Sequence, residues 1–207
     1  MKLRTALGAL CVVATIGSAA AQQQGVRVRG TIEQADGPMF TVKSPGGDTV
    51  KLKMADDVKV TAMVKASLAD IKTGSFVGAT ALLEENGRWR AVEVHIFPEA
   101  MRGTGEGDRP NDYRPKSTMT NGTVNNVANG SGAATVTKEE GTTLTLKYKE
   151  GEKTIDVPPD AVIYTYAPGT KDELKPGAIV SAAATKQADG SLMTARINVA
   201  RGVVPPM

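Results

Sequence analysis

The amino-acid sequence predicts an all-β fold of two small barrels in tandem, and three observations lead to this prediction. Apolar residues alternate with polar ones at period two along most of the chain, as they do in half-buried strands. Turns that contain glycine, proline or asparagine separate these stretches. One set of sequence features also recurs about 100 residues further along the chain, which indicates an internal duplication.

Residues 1–21 have the parts of a secretory signal peptide. Basic residues precede an apolar run from Ala6 to Ile16, and the segment ends in the Ala-x-Ala pattern of Ala19 and Ala21. We expect cleavage before Gln22, and therefore an exported protein of a bacterial periplasm. The apolar run is about half of the roughly 20 residues that a transmembrane helix needs, so no membrane span is predicted.

The only cysteine of the chain, Cys11, lies within this signal segment. The mature protein is therefore expected to have no thiol, which excludes disulfides, thiolate metal sites and a cysteine nucleophile. The formal charge of +3 for the whole chain includes the two basic residues of the signal segment. The mature protein is thus close to neutral, so its net charge does not favour binding to polyanions.

Two pairs of segments carry the internal duplication. Residues Asp70–Val77 align with Glu173–Val180, and Gly30-Thr31-Ile32 aligns with Gly122-Thr123-Val124. The first pair is offset by 103 residues, and the same offset pairs Gly87 with Gly190, which is hard to obtain by chance. The upstream offset is smaller because of an insertion in the second copy, and each copy is predicted to contain the same strands.

The alignment gives the predicted domain boundaries. The first unit spans residues 26–98 and the second spans 117–203, with an insertion around residues 129–140 in the second copy. Between them, residues 99–116 are rich in glycine and lack apolar periodicity, so they form either a linker or an ordered loop.

One short helical turn is predicted before the fourth strand of each unit. Ser67 with Asp70, and Thr170 with Glu173, have the spacing of a capping box, in which each side chain satisfies a free backbone donor. Three strands, a helical turn and two more strands are the order of an OB-type barrel. Each unit is therefore predicted to be an OB-like barrel of five to six strands.

Three segments carry a resemblance to a known family: Gly30-Thr31-Ile32, Asp70-Ile71-Lys72-Thr73-Gly74, and Gly87 to Ile96. Together they resemble bacterial secreted OB-like domains of unknown function, present here as a tandem repeat. The resemblance covers most of the mature chain and implies a fold rather than an activity.

A second resemblance concerns Trp89, His95, Met54 and Met63. The scaffold is similar to the small periplasmic copper chaperones of metal-efflux systems, which bind Cu(I) through a histidine, a Met-x-Met strand and a tryptophan. This resemblance implies a copper site near Trp89 and His95. The sequence contains no Met-x-Met pair.

Alternation along residues 89–97 predicts one face that carries Trp89, Glu93, His95 and Phe97. The apolar side chains between them are expected to fill the barrel. The exposed face would then bind a ligand or pack against the second unit or the linker. His95 is the only histidine, so a metal site there would need ligands of other types.

Basic residues mark the outer face predicted for the first three strands, namely Arg27, Arg29, Lys43, Lys51 and Lys53. In OB folds this face often binds oligonucleotides or oligosaccharides. The strands offer few aromatic side chains for base stacking, which disfavours nucleic acid as the partner. An anionic glycan or surface of the cell envelope fits better, and a solvated face is the alternative.

The linker places Glu106, Asp108 and Asp112 close together, and with His95 they are the candidate metal ligands. Their spacing differs from that of an EF-hand loop. No catalytic or cofactor motif is present, so neither an enzyme activity nor a cofactor is predicted. The sequence predicts a non-enzymatic binding or accessory module, with another envelope protein or an anionic glycan as partner and with copper binding as an alternative.

Overall fold

The computed structural model describes residues 25–111, 115–129 and 141–206, and the prediction of an all-β protein is confirmed. The predicted signal peptide, its cleavage residues and Asp112 lie outside the described residues. Within the described part, no helix is long and apolar enough to cross a membrane. The strands are β1 (Gly25–Asp36), β2 (Met39–Lys43), β3 (Thr49–Lys65), β4 (Phe76–Leu83), β5 (Trp89–Ile96), β6 (Gly107–Pro110), β7 (Ser117–Asn129), β8 (Thr142–Tyr148), β9 (Gly151–Val157), β10 (Val162–Pro168), β11 (Ile179–Lys186) and β12 (Leu192–Arg201).

Strands β1, β2, β3, β12 and β11 close into a five-stranded barrel, which we call the first ring. Neighbouring strands pair antiparallel, except that β3 and β12 run parallel. The alternating apolar residues point inwards and remove their surface from water, which is the main force that holds such a ring together. The most deeply buried of them include Ile32, Val42, Leu52, Val180 and Ile197.

Strands β4, β5, β7, β8 and β9 form a second ring, which β10 continues. Pro158 and Pro159 separate β9 from β10, because proline lacks the backbone N–H that a ladder requires. At the seam, β5 meets β9 in the single pair of Arg90 with Asp156, and then runs parallel to β10. The interior of this ring is apolar and includes Val77, Val94, Val124, Leu144 and Ile155.

Each ring combines strands from distant parts of the sequence. Strands β1–β3 pair with β11 and β12 in the first ring, while β4 and β5 pair with β7 and β9 in the second. An antiparallel pairing of β3 with β10 joins the two rings. The ranges 26–98 and 117–203 stay a prediction about sequence units, and the hydrogen-bonded rings are assembled across them.

Both predicted helical turns are present, as 3-10 turns at Leu68–Asp70 and Lys171–Glu173. The Ser67 N–H donates to a carboxylate oxygen of Asp70 over 2.8 Å, and Thr170 makes the same bond to Glu173 over 2.8 Å. The turns directly precede β4 and β11, which are the strands at which the chain passes from one ring to the other.

The predicted linker is ordered where the structure describes it. It contains a 3-10 turn at Glu99–Met101 and strand β6, which pairs antiparallel with β7. The alternative of an ordered loop therefore describes residues 99–111 better than a free linker does.

A β-bulge lies at Val92 in strand β5. The ladder between β4 and β5 pairs Thr80 with Glu93 but Ala81 with Ala91, so Val92 has no partner of its own. One extra residue reverses the alternation of side chains along a strand.

The bulge corrects the predicted grouping of side chains. Trp89 packs against the core of the second ring, whereas Glu93, His95 and Phe97 lie on the outer face of β5. The prediction that Trp89 shares a face with those three residues is therefore wrong, because strict alternation does not continue through the bulge.

Candidate functional site

Outer side chains of β4, β5 and β10, together with Phe97, form a buried group that we call the His95 cluster. Its members are Phe76, Thr80, Glu93, His95, Phe97, Tyr164 and Tyr166. The ring centroid of His95 lies 4.9 Å from that of Phe97, 5.5 Å from that of Tyr164 and 5.9 Å from that of Tyr166. Phe97, Tyr164 and their neighbours belong to neither apolar core, so the cluster fills the region where β10 connects the two rings.

Two hydrogen bonds fix the polar members of the His95 cluster. Nδ1 of His95 lies 2.9 Å from the hydroxyl of Tyr164, and the Thr80 hydroxyl donates to Oε1 of Glu93 over 2.8 Å. Gly78 makes room for the imidazole, because a Cβ there would overlap Nε2 of His95 and Oδ1 of Asn121. The absence of a side chain at this position on β4 is therefore a condition for the cluster.

Three buried polar atoms in this cluster or beside it have no hydrogen-bond partner among the described residues. They are Nε2 of His95, Oδ1 of Asn111 and Oδ1 of Asn121. The two amide groups are otherwise held, since Asn111 donates to Thr80 over 3.2 Å and Asn121 donates to the Thr104 carbonyl over 2.9 Å. The side chain of Asn121 faces His95 across Gly78, where it favours the protonated imidazole.

Burial sets the protonation states of the cluster. It lowers the pKa of His95 to about 4 against the opposing effect of the Asn121 side chain, and the positive charges of Arg109, Arg29 and Arg27 act in the same direction as burial. Burial also raises the pKa of Glu93, against the opposing effects of Thr80 and the two β1 arginines, and it raises the pKa of Tyr166 to about 12. His95 is therefore neutral at neutral pH.

The depressed pKa of His95 predicts an acid-dependent loss of stability. The unfolded chain binds a proton at His95 near pH 6.5, while the folded chain binds it only near pH 4. The contribution of neutral His95 is thus complete above about pH 6.5 and is lost as the pH falls towards 4. We expect the free energy of unfolding to decrease by about 2 kcal/mol more in the parent than in His95→Gln between pH 7 and pH 4.5.

Urea unfolding at the two pH values measures this difference. The change in the parent has to be compared with the change in His95→Gln because Glu93 also titrates. Its raised pKa stabilises the folded state as the pH falls, which is opposite to the effect of His95. An equal change of stability in the parent and in His95→Gln would contradict the assignment.

Lys153 on β9 of the second ring is a buried cation. Nζ of Lys153 lies 3.1 Å from both carboxylate oxygens of Asp108, 2.7 Å from the Thr118 hydroxyl and 3.4 Å from the ring centroid of Trp89. Burial lowers the pKa of Lys153, and its ion pair with Asp108 opposes the change. Trp89 thus contacts a cation of the chain itself, and strand β6 supplies the counter-ion.

The candidate metal ligands are not brought together in the structure. Asp108 is the partner of Lys153, His95 is bonded to Tyr164, Glu106 is exposed, and Asp112 lies outside the described residues. Among the described residues, no group of three or more histidine, cysteine, aspartate or glutamate side chains is placed to hold a metal ion.

The predicted basic face divides into two groups. Arg27 and Arg29 on β1 act electrostatically on Glu93 and His95, which places them beside the His95 cluster. The lysines form the second group, which we call the lysine face. Lys43, Lys51 and Lys53 are exposed on the outer side of β2 and β3.

Sequence reasoning missed Tyr164, Tyr166 and Lys153. The Tyr-x-Tyr spacing does indicate a shared face on one strand. What brings those tyrosines to His95 is the parallel pairing of β10 with β5, which no local pattern indicates. Searches of family models, curated proteins and solved structures found nothing that matches this chain.

Proposed function

We propose that the protein is an exported binding or accessory module of OB-like barrels that holds anionic polymers of the bacterial envelope on the lysine face. The observation that carries this proposal is the exposure of Lys43, Lys51 and Lys53 on the outer side of a closed five-stranded barrel. Lys51 and Lys53 alternate on β3 opposite Thr41 and Met39 of β2, so both ammonium groups project from one surface.

The spacing and surroundings of these lysines favour a polymer with repeated negative charges over a ligand with a single anionic group. Lys51 and Lys53 are about 7 Å apart along the strand, since each residue of a strand adds roughly 3.3 Å. Lys43 has an exposed partner, Glu33, at 3.4 Å, and such pairs contribute little and exchange readily. The surface therefore offers a row of cations on a rigid ladder.

Replacing both strand lysines tests the proposal. We expect the parent to bind immobilised polyuronate at about 20 mM salt and to lose most of this affinity at about 300 mM, where exposed charges are screened. The double variant Lys51→Glu with Lys53→Glu is expected to bind at least about tenfold more weakly, because two attractive contacts become repulsive.

The matched control changes the same amount of charge on the second ring. Lys147 and Lys149 lie at and just beyond the end of β8 and are exposed, so Lys147→Glu with Lys149→Glu is expected to retain most of the binding. Equal losses in the two double variants, or binding that does not respond to salt, would rule out a specific lysine face.

A further inference from the structure

A pocket of about 160 Å³ lies at the seam of the second ring, where β5 meets β9. Its lining includes Glu84, Arg88, Arg90, Asp156 and Pro158. The pocket has a structural cause. The two strands share one residue pair, and the prolines that follow β9 prevent the ladder from continuing, so the backbones separate there. Its volume is close to that of a cavity that holds a benzene-sized molecule.

One of the two arginines in the pocket is held firmly. Arg88 donates from Nε and Nη2 to the two oxygens of Asp156, both over 2.6 Å, and the Thr143 hydroxyl donates to the same carboxylate over 2.9 Å. Asp156 also raises the pKa of Arg88. This bidentate pair fixes the guanidinium plane and leaves Nη1 without an acceptor among the described residues.

The other arginine is held weakly. Nη2 of Arg90 lies 2.9 Å from Asp160, whose side chain is 78% exposed, and its Nε lies 4.0 Å from Glu84, which is too far for a hydrogen bond. An exposed ion pair of this kind contributes little to stability, so a competing anion can displace Asp160. Within the described part of the chain, most N–H groups of Arg90 are free to bind one.

We propose that this seam pocket binds a small oxyanion, a carboxylate or a phosphate ester, with Arg90 as the binding residue and Arg88 as its fixed neighbour. The planar guanidinium fork matches both anions, which accept two parallel hydrogen bonds from it. This site lies on the second ring and is independent of the lysine face, so either proposal can fail without the other.

Titration of the intact protein with two anions tests the site and identifies the source of the charge. Inorganic phosphate and glucuronate are added separately at low ionic strength, and binding is followed by calorimetry, with the fluorescence of Trp89, which adjoins both arginines in the chain, as a second readout. If only phosphate binds saturably, the natural ligand is assigned as a phosphate ester. If only glucuronate binds saturably, the ligand is assigned as a carboxylate. No binding of either anion below about 10 mM would overturn the proposal.

Three variants make the test specific. Arg90→Gln is expected to weaken binding at least about tenfold, as the loss of a charge-assisted pair does. Asp160→Asn is expected to strengthen it severalfold, because it removes the competing carboxylate, and a gain of affinity cannot result from misfolding. Arg196→Gln, which removes an exposed charge on β12, is expected to have no effect. Equal losses in Arg90→Gln and Arg196→Gln, or weaker binding by Asp160→Asn, would contradict the site.

Discussion

Cutting the backbone between Gly103 and Thr104 is expected to leave one particle of unchanged size. Both residues lie in an exposed turn before β6, where a protease site can be inserted. The amino-terminal piece would keep β1–β5 and the carboxy-terminal piece β6–β12. Each ring then still contains strands from both pieces, so the pieces remain held by sheet hydrogen bonds and by two apolar cores.

Size-exclusion chromatography and native mass spectrometry after cleavage measure this outcome. The uncut protein with the same insertion is the control. We expect the cut protein to stay associated on dilution to nanomolar concentration and to separate only in denaturant, near the midpoint at which the rings unfold. If each ring were instead formed by one contiguous half, the contact between the pieces would be a surface interface alone. Two species on dilution would therefore refute the exchange of strands.

Gly30→Ala is expected to destabilise the folded protein strongly. A Cβ at this position would overlap the carbonyl group of Lys43 and lie 2.9 Å from Cγ1 of Val42, and the φ of +155° is one that other residues rarely adopt. Because the obstacle is backbone on the paired strand β2, the contact cannot be relieved by turning a side chain. We expect a loss of at least about 4 kcal/mol, a large part of the stability of an ordinary domain.

Gly37→Ala is the matched control, because Gly37 also has a positive φ, +53°, but no atom lies within 4 Å of its missing Cβ. This variant is expected to lose only about 1 kcal/mol, the cost of the left-handed conformation itself. Urea unfolding followed by circular dichroism gives both values. A loss of about 1 kcal/mol in Gly30→Ala as well would mean that β1 and β2 can separate without disturbing the first ring.

The features that sequence predicts correctly are local ones. The alternation that includes Phe40, Val42 and Leu52 follows from a pleated strand with one buried side. The capping boxes at Ser67 and Thr170 each involve only four consecutive residues. Strand identity and turn chemistry are short-range properties, so they can be read without knowledge of the partner strands.

Which strands pair with each other cannot be predicted from such local patterns. The strands β4 and β11 follow similar 3-10 turns, and their sequences offer similar apolar faces to either ring. Local patterns cannot distinguish pairing within one unit from exchange between the two, because both arrangements bury the same alternation. The distinction depends on long-range contacts, such as that of β3 with β10.

The candidate site shows the same limit at the level of single residues. Alternation along the strand groups His95, Glu93 and Phe97 correctly, but it fails at Trp89 because of one additional residue at Val92. Asp108 was predicted as a metal ligand because of its acidic neighbours, yet its nearest charge is Lys153, 45 residues away in the chain. Spacing in sequence does not show which charges compensate each other in a folded protein.

The parallel pairing of β3 with β12 also affects how the chain can fold while it is being synthesised. Ribosomes deliver the amino terminus first, so β1–β3 are complete when residue 65 appears, while β11 begins at residue 179. At roughly 5–20 residues per second, those three strands remain for about 6–23 s with exposed apolar faces and unpaired edges. During that interval the open edges and apolar faces of β1–β3 favour aggregation over folding. A chain that ends before β12 lacks the strand that joins β3 to β11, so we expect it to aggregate rather than to form a smaller barrel.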